Sequence, residues 1–374
     1  MKTTMTKKTS GSLAVLYISG FVGAGYSSGQ EVCQFFACHG RNGLIPILLF
    51  PLFLTVLSLI FLWTARRKQS VQYEEIISPI ASPLVKAGVD IVVSVFIVIA
   101  IVSSIAAIGS ILQRLTGLPS FVGDLLAVGL AAGLLLLGNI QKTASMLKPF
   151  LLLFLICVCV ICIYVLATVK PAVSAFAPTG DSLISLSGGS LFWLVLYVSY
   201  NLLVIIGILS PVSRDIPSGK KLIVLGTLCP LLISVTIALQ YFALIRLFPA
   251  GNTAEMPLIH AASMISPVFS DIYQILMLTA AVCTVVSCFN STIDRMERIK
   301  LFQKLPRPAL IAGSAFLLFL CSLIGFSNVI RYIYPAIGFL GFFVLALLII
   351  SYIKLRIYEK HALTGQKEAS HEIT

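Results

Sequence analysis

The feature that most constrains this chain is a succession of long apolar runs almost free of charge. They fall at about residues 12–38, 43–65, 88–113, 121–140, 147–169, 188–210, 221–246, 268–290, 308–326 and 329–353. About 20 apolar residues cross a bilayer as a helix, and an unbroken helix satisfies its own backbone there. The runs therefore predict an all-α integral membrane protein of ten transmembrane helices. What remains of the 374 residues is loops and tails, too scattered for a soluble domain. Only 11% of the chain is charged, against roughly 25% in soluble chains. That excludes a soluble enzyme, a nucleic-acid-binding domain and a disordered protein. The reading is one transmembrane domain over 1–374, closing in a polar cytoplasmic tail at 361–374.

A net charge of +12 would suggest a nucleic-acid partner in a soluble protein. Here it follows from loop charge. With the N-terminus inside, 21 of the 26 Lys and Arg fall in cytoplasmic segments. This positive-inside bias predicts both termini in the cytoplasm and a multi-pass protein of the inner (cytoplasmic) membrane. Trp63 and Trp193, at span ends, are expected as interfacial anchors. No cleavable signal peptide is expected, because the run after the basic N-terminus is too long and too broken by glycine. The nine cysteines mostly lie inside apolar runs, as packing residues rather than a disulfide framework. Cys157, Cys159 and Cys162 have no His or carboxylate beside them for a metal site.

Two longer connections stand out. Residues 66–86 are expected to hold a short amphipathic helix lying on the inner membrane surface. In the outer connection 247–267, Glu255 to Ile265 is expected as a short helix capping the external face. Asp124, Asp271, His39 and His260 are expected near the outer surface. Ten spans divide as five plus five. An odd-numbered repeat forces the halves, 12–169 and 188–353, to be inverted copies. The first span of each half is the polar-interrupted one, which points to a transporter binding site at the midplane.

The first span carries Gly20, Gly23, Gly25 and Gly29 together with Ser27, Ser28, Gln30 and Glu31 at membrane depth. A continuous helix would lose about 1 kcal/mol per Gly against Ala. A buried charge there costs at least about 2.5 kcal/mol. A broken helix accounts for both: one half ending near Val22, residues 23–27 unwound, and a restart at Ser28. Ser28-Gly29-Gln30-Glu31 fits a capping box, with Ser28 as N-cap and Glu31 reaching back to its N–H. Free N–H and C=O groups at the break would attract charged groups of opposite sign. Glu31 has two readings, a structural cap or a contact with solute or ion. The glycines have two as well, an unwound site or a close helix seam. In the sixth span Tyr197, Ser199, Tyr200 and Asn201 predict a second break near 199–202, or else hydrogen-bonded glue between helices. Thr284 and Ser287, three apart on span eight, share a face and form a candidate sodium site, or pack as small residues. Ser103 and Ser104 on span three are weaker candidates. Lys148, at the inner end of span five, could replace a sodium ion or snorkel to headgroups.

The stretch Gly23-Ala24-Gly25-Tyr26-Ser27-Ser28-Gly29-Gln30-Glu31, with Gln34-Phe35-Phe36, Gly40-Arg41-Asn42-Gly43-Leu44-Ile45 and the Tyr200-Asn201 pair, resembles the YkvI-type bacterial membrane proteins. That family is similar to a distant branch of the amino acid–polyamine–organocation transporters. The resemblance implies a LeuT-like 5+5 inverted repeat with broken helices 1 and 6. It also implies substrate contacts at Gly23, Ala24, Gly25 and Tyr26. Thr284 and Ser287 are the nearest match to a sodium pair that is usually adjacent.

The functional expectation is a secondary transporter of a small polar solute, an amino acid or related amine, with sodium or a proton as coupling ion and no other cofactor. The candidate substrate-binding set is Gly23, Ala24, Gly25, Tyr26, Ser27, Ser28, Glu31, Tyr200, Asn201 and Ser103. Lipid and a small solute are the expected partners, with no nucleic acid. The alternative is a nutrient-binding receptor on a transporter fold. An intramembrane enzyme is not expected, because Glu31 is the single acid at mid-membrane depth and no catalytic pair accompanies it.

Overall fold

The apolar runs fold as helices, and no strand occurs among the described residues, which in this computed structural model are 10–78, 82–137, 148–170, 189–247, 255–297, 299–300 and 302–371. The first run is split into α1 (Ser10–Phe21), α2 (Ala24–Ser28) and α3 (Gln30–Phe35). A 3-10 segment, Ala37–Gly43, leads into α4 (Leu44–Lys68), then α5 (Tyr73–Ile77), α6 (Pro83–Thr116) and α7 (Ser120–Leu137). The second half comprises α8 (Lys148–Thr168), α9 (Ser190–Leu209), α10 (Lys220–Arg246), α11 (Pro257–Ile265), α12 (Pro267–Met296), α13 (Arg307–Ser322) and α14 (Tyr334–His371). Among the described residues, 7 helices are long and apolar enough to cross a membrane. Three shorter apolar helices accompany them: Ser10–Phe21, Leu152–Thr168 and Arg307–Ser322. Leucines such as Leu48, Leu52, Leu126, Leu228 and Leu317 stand exposed on outer faces. An apolar exterior of that extent suits lipid and not water, so the chain is a multi-pass membrane protein.

The core forms around α9 and the C-terminal half of α6, where Ser103 to Ile111 are all buried. α9 packs against α1, α4 and α14, while α6 packs against α7 and α12. At α6–α7 the contact is made by glycines. A Cβ at Gly123 would stand 2.7 Å from the Gly109 Cα. Small residues let helices approach in a bilayer, where dispersion contacts replace the hydrophobic drive.

Several expectations are corrected. α9 is an unbroken helix through 199–202. Asn201 Nδ2 donates to Tyr197 O at 3.0 Å, and Ser199 Oγ donates to Leu196 O at 2.9 Å and Gly338 O at 2.6 Å. With their side chains satisfied by backbone carbonyls, these polar residues give the helix no reason to open. Trp193 is no interfacial anchor. It is 2% exposed and packs on Phe35 and His39. His39 and Asp124 are likewise buried, Asp124 because the α6–α7 approach draws it in to meet the Ser322 hydroxyl at 3.2 Å. Asp271 and His260 are exposed, as expected. The connection after α4 does hold a short helix, α5, which buries Tyr73, Ile76 and Ile77 against the protein and leaves Glu75 exposed, while Lys68 Nζ donates to the carbonyls of Glu75 and Ser78. The connection before α12 holds another, α11, with Leu258, Ala261 and Ala262 buried. The last helix runs on to His371, through most of the segment read as a tail. All nine cysteines are free thiols.

The C-terminal end of α12 and the N-terminal end of α13 are joined by one arginine. Arg307 donates to Asp294 at 3.0 Å, to both Glu297 oxygens at 2.9 Å and to Asn290 at 3.0 Å. The groups are half exposed, so Arg307→Ala is expected to cost only about 1 kcal/mol. Thermal unfolding in detergent at low and high salt checks this; the loss should shrink as salt rises.

Candidate functional site

The break in the first span lies one turn earlier than the glycine count implies. α1 ends at Phe21, and Gly23 is extended, with φ −93 and ψ −178. Residues 24–28 then form one helical turn rather than unwound chain. Ser27 N donates to Gly23 O and Gly29 N to Tyr26 O, which holds that turn closed. A second interruption follows at Gly29, whose φ of +79 ends α2 and begins α3. Glycine is needed there twice over, because a Cβ would also meet Leu258 of α11 at 2.8 Å. At the end of α1, Ile18 O still accepts Val22 N, and Phe21 O accepts Gly23 N.

The capping box does not form as expected. Ser28 Oγ accepts from Gln30 N at 3.1 Å, but the Glu31 carboxylate turns away from Ser28. Glu31 Oε2 accepts the Tyr200 hydroxyl of α9 at 2.7 Å. The side chain folds back over Gly25, where a Cβ would stand 2.2 Å from Oε1. Gly25 is therefore the seat of the carboxylate. Glu31 is 3% exposed and joins none of the ion pairs found among the described residues.

Glu31 faces a cavity of about 350 Å³ between α1, α2, α6, α9, α12 and α14. Gly23, Ala24, Glu31, Tyr200, Asn201, Thr284 and Ser287 line it, as do Ser104 and Thr279. Val15, Pro211 and Ser291 mark its other end, where Pro211 and Ser291 are exposed. The cavity thus runs from the helix break to the end of the molecule that carries the start of α1. At the opposite end, Gly29 is covered by Leu258, which is fully buried.

The other sequence candidates stand behind the wall, each with a different task. Tyr26 donates to Thr236 Oγ1 of α10 at 2.6 Å. Ser27 Oγ donates to Gly23 O, and its own carbonyl accepts Tyr273 of α12 at 2.5 Å. Ser28 Oγ donates to Gly25 O at 2.9 Å. These bonds hold the short α2 turn to α10 and α12 and leave its hydroxyls no role in the cavity. Ser103 is buried beside Tyr334, one position off the lining residue Ser104. Thr284 Oγ1 donates to its own helix at Ala280 O, 3.2 Å. The Lys148 side chain lies outside the described residues.

The sequence reading missed Tyr334, Phe96 and Phe21. The rings of Phe96, Tyr200 and Tyr334 form a cluster on the wall, with centroids 5.8 Å (Phe96–Tyr200), 6.1 Å (Phe96–Tyr334) and 5.1 Å (Tyr200–Tyr334) apart. A signal for Tyr334 exists in its Tyr-Pro dipeptide inside an apolar run. Pro335 cannot donate an N–H to the preceding turn, and a π-helical turn over Val329–Ile333 absorbs that loss just before Tyr334. Phe96 has no such signal, since it sits in a stretch of α6, Val95 to Val102, in which every residue is apolar.

No protein-family model matches the chain. A curated relative, the uncharacterised protein YyaD of Bacillus subtilis (strain 168), is 23% identical over 345 residues, covering 90% of this chain and 95% of its own. Among solved structures, a manganese transporter of Eremococcus coleocola in complex with an aromatic bis-isothiourea compound aligns with a TM-score of 0.52 at 13% identity. That alignment covers 90% of this chain and 75% of that one. A mutant of the same transporter gives 0.51 at 13% identity over 91% and 76%. The chain therefore has a membrane-transporter fold, and its structural neighbours are transporters rather than enzymes.

Proposed function

We propose that the chain is a secondary active transporter of a small polar solute, an amino acid or related amine, worked by alternating access. In this reading α1–α3 form one span. Ten spans make a 5+5 inverted repeat, distantly related to the amino acid–polyamine–organocation transporters, with both termini in the cytoplasm of a cell's inner membrane. The observation that carries it is the buried Glu31 carboxylate at a helix break, facing a cavity that reaches one end of the molecule. Under the positive-inside orientation that end is cytoplasmic, because the start of α1, Pro211 and Ser291 all lie there. The structure then corresponds to the inward-facing state, with α11 as the outer plug.

The manganese neighbours raise a divalent metal as the alternative solute. The donor set argues against it. The lining offers one carboxylate and otherwise hydroxyls, an amide and thiols, and no group of three His, Cys, Asp or Glu occurs among the described residues. Manganese favours several carboxylate or carbonyl oxygens in octahedral array. Thr284 and Ser287 remain the candidate sodium ligands, and Glu31 the group a coupling proton would occupy.

The test is uptake into proteoliposomes of radiolabelled amino acids, amines and manganese(II), under a sodium or a proton gradient. Gradient-driven uptake of an organic solute, lost in Glu31→Gln, is the expected result. Uptake of manganese alone would overturn the solute class. Binding in detergent with no flux under any gradient would favour a receptor.

A further inference from the structure

We propose that the cavity is selective for organic monocations, amines that carry an ammonium group and no carboxylate, and that Glu31 is the resident counter-anion for that ammonium. This rests on the transporter reading for its biological use, but not for the binding it asserts.

The first argument is where the Glu31 carboxylate sits. Glu31, two residues past the αL turn at Gly29, folds its carboxylate back over Gly25 at the helix break, where Oε2 accepts the Tyr200 hydroxyl. A carboxylate brought by a zwitterionic solute would meet this anion at the break.

The second argument is charge. Among the described residues of the lining, Glu31 is the one acid and none is Lys, Arg or His. A zwitterion would bring a second anion close to Glu31 with no cationic side chain to receive it. Like charges in a water-poor site repel far more strongly than in bulk water. An amine brings the one charge the cavity lacks.

The third argument is the wall. Phe96, Tyr200 and Tyr334 line the cavity as a three-ring cluster, and the Tyr200 hydroxyl is the one bonded to Glu31. Aromatic faces beside an anion form a site for an ammonium group through cation–π attraction. Phe21, Ile97, Ala100, Val204 and Leu276 give the wall apolar stretches that suit a hydrocarbon body. A volume of about 350 Å³ fits an amine of modest size and is far larger than a bare metal ion requires.

Matched pairs isolate the carboxylate. Valine is compared with isobutylamine, leucine with isopentylamine and phenylalanine with 2-phenylethylamine, by titration calorimetry on the purified full chain in detergent. Each amine is expected to bind about 100-fold more tightly than its amino acid. Glu31→Gln should remove most of that preference. Tyr334→Leu should weaken amine binding about 3- to 30-fold while Tyr334→Phe retains it, which keeps the test decisive if Glu31→Gln fails to fold. Equal or tighter binding of the amino acids would overturn the proposal and leave the transporter reading intact. Binding of manganese(II) alone, or of none of the probes, would overturn it as well. Amine binding without flux in proteoliposomes would sustain the proposal and sink the transporter reading.

Discussion

Gly25→Ala is expected to weaken solute binding about 10- to 100-fold, as much as Glu31→Gln, although it removes no polar group. The added methyl would stand 2.2 Å from Glu31 Oε1, 2.6 Å from its Cγ and 2.7 Å from its Cδ. Real Cβ atoms do not approach so closely, so the side chain must swing off its seat. The Tyr200 hydroxyl, at 2.7 Å, then loses its acceptor. A flexible carboxylate gives way more easily than backbone, so the fold should survive with a stability loss of about 1–2 kcal/mol. Titration of the wild-type ligand against Gly25→Ala, with circular dichroism and a melting curve as controls, checks both parts. Unchanged affinity in a folded variant would show that the seat over Gly25 does not govern the site. Gly23→Ala supplies the contrast. A Cβ there meets nothing within 4 Å, and its φ of −93 is open to any residue, so affinity should hardly move.

The largest stability effect is expected at Gly109→Ala on α6, about 3 kcal/mol or more. Its Cβ would lie 2.0 Å from Asp124 Oδ1 and 2.6 Å from the carbonyl of Ser120, and Gly123 already brings α7 against the Gly109 Cα. The obstacle is backbone, which cannot rotate away, so the two helices must separate. Separation also disturbs the buried Asp124, whose Oδ2 takes the Ser322 hydroxyl of α13. The control is Gly129→Ala on the outer face of α7, with nothing within 4 Å of its Cβ. That change should be neutral or stabilising by about 0.5–1 kcal/mol through helix propensity. Melting temperatures of the two variants in the same detergent decide it. A Gly109→Ala protein as stable as wild type would mean that the α6–α7 approach does not hold the fold.

The sequence alone determined the class of structure and the place of its irregularity. Long uncharged runs cannot sit in water, and glycines beside a carboxylate at membrane depth cannot sit in an unbroken helix. Both statements are local, so they can be read from 20 or so consecutive residues. That is why the break near Gly23, the burial of Glu31 beside it and the short helix before Ile265 were legible.

What the sequence could not supply was the lateral partner of each side chain. In span six, Ser199 and Asn201 read as a break because their polar groups lacked visible acceptors. The acceptors are carbonyls one turn back and, at Gly338, on a helix 139 residues away. Trp193, His39 and Asp124 were placed at the surface by their position along the membrane normal. Burial was decided by which neighbour stood beside them, and a helix apolar on all faces carries no record of that. The same limit hid Phe96 and Tyr334. Only the tertiary structure brings Glu31 of α3, Tyr200 of α9, Phe96 of α6 and Tyr334 of α14 together around one cavity. Hydropathy measures depth in the bilayer, whereas a binding site is made by which helices stand side by side.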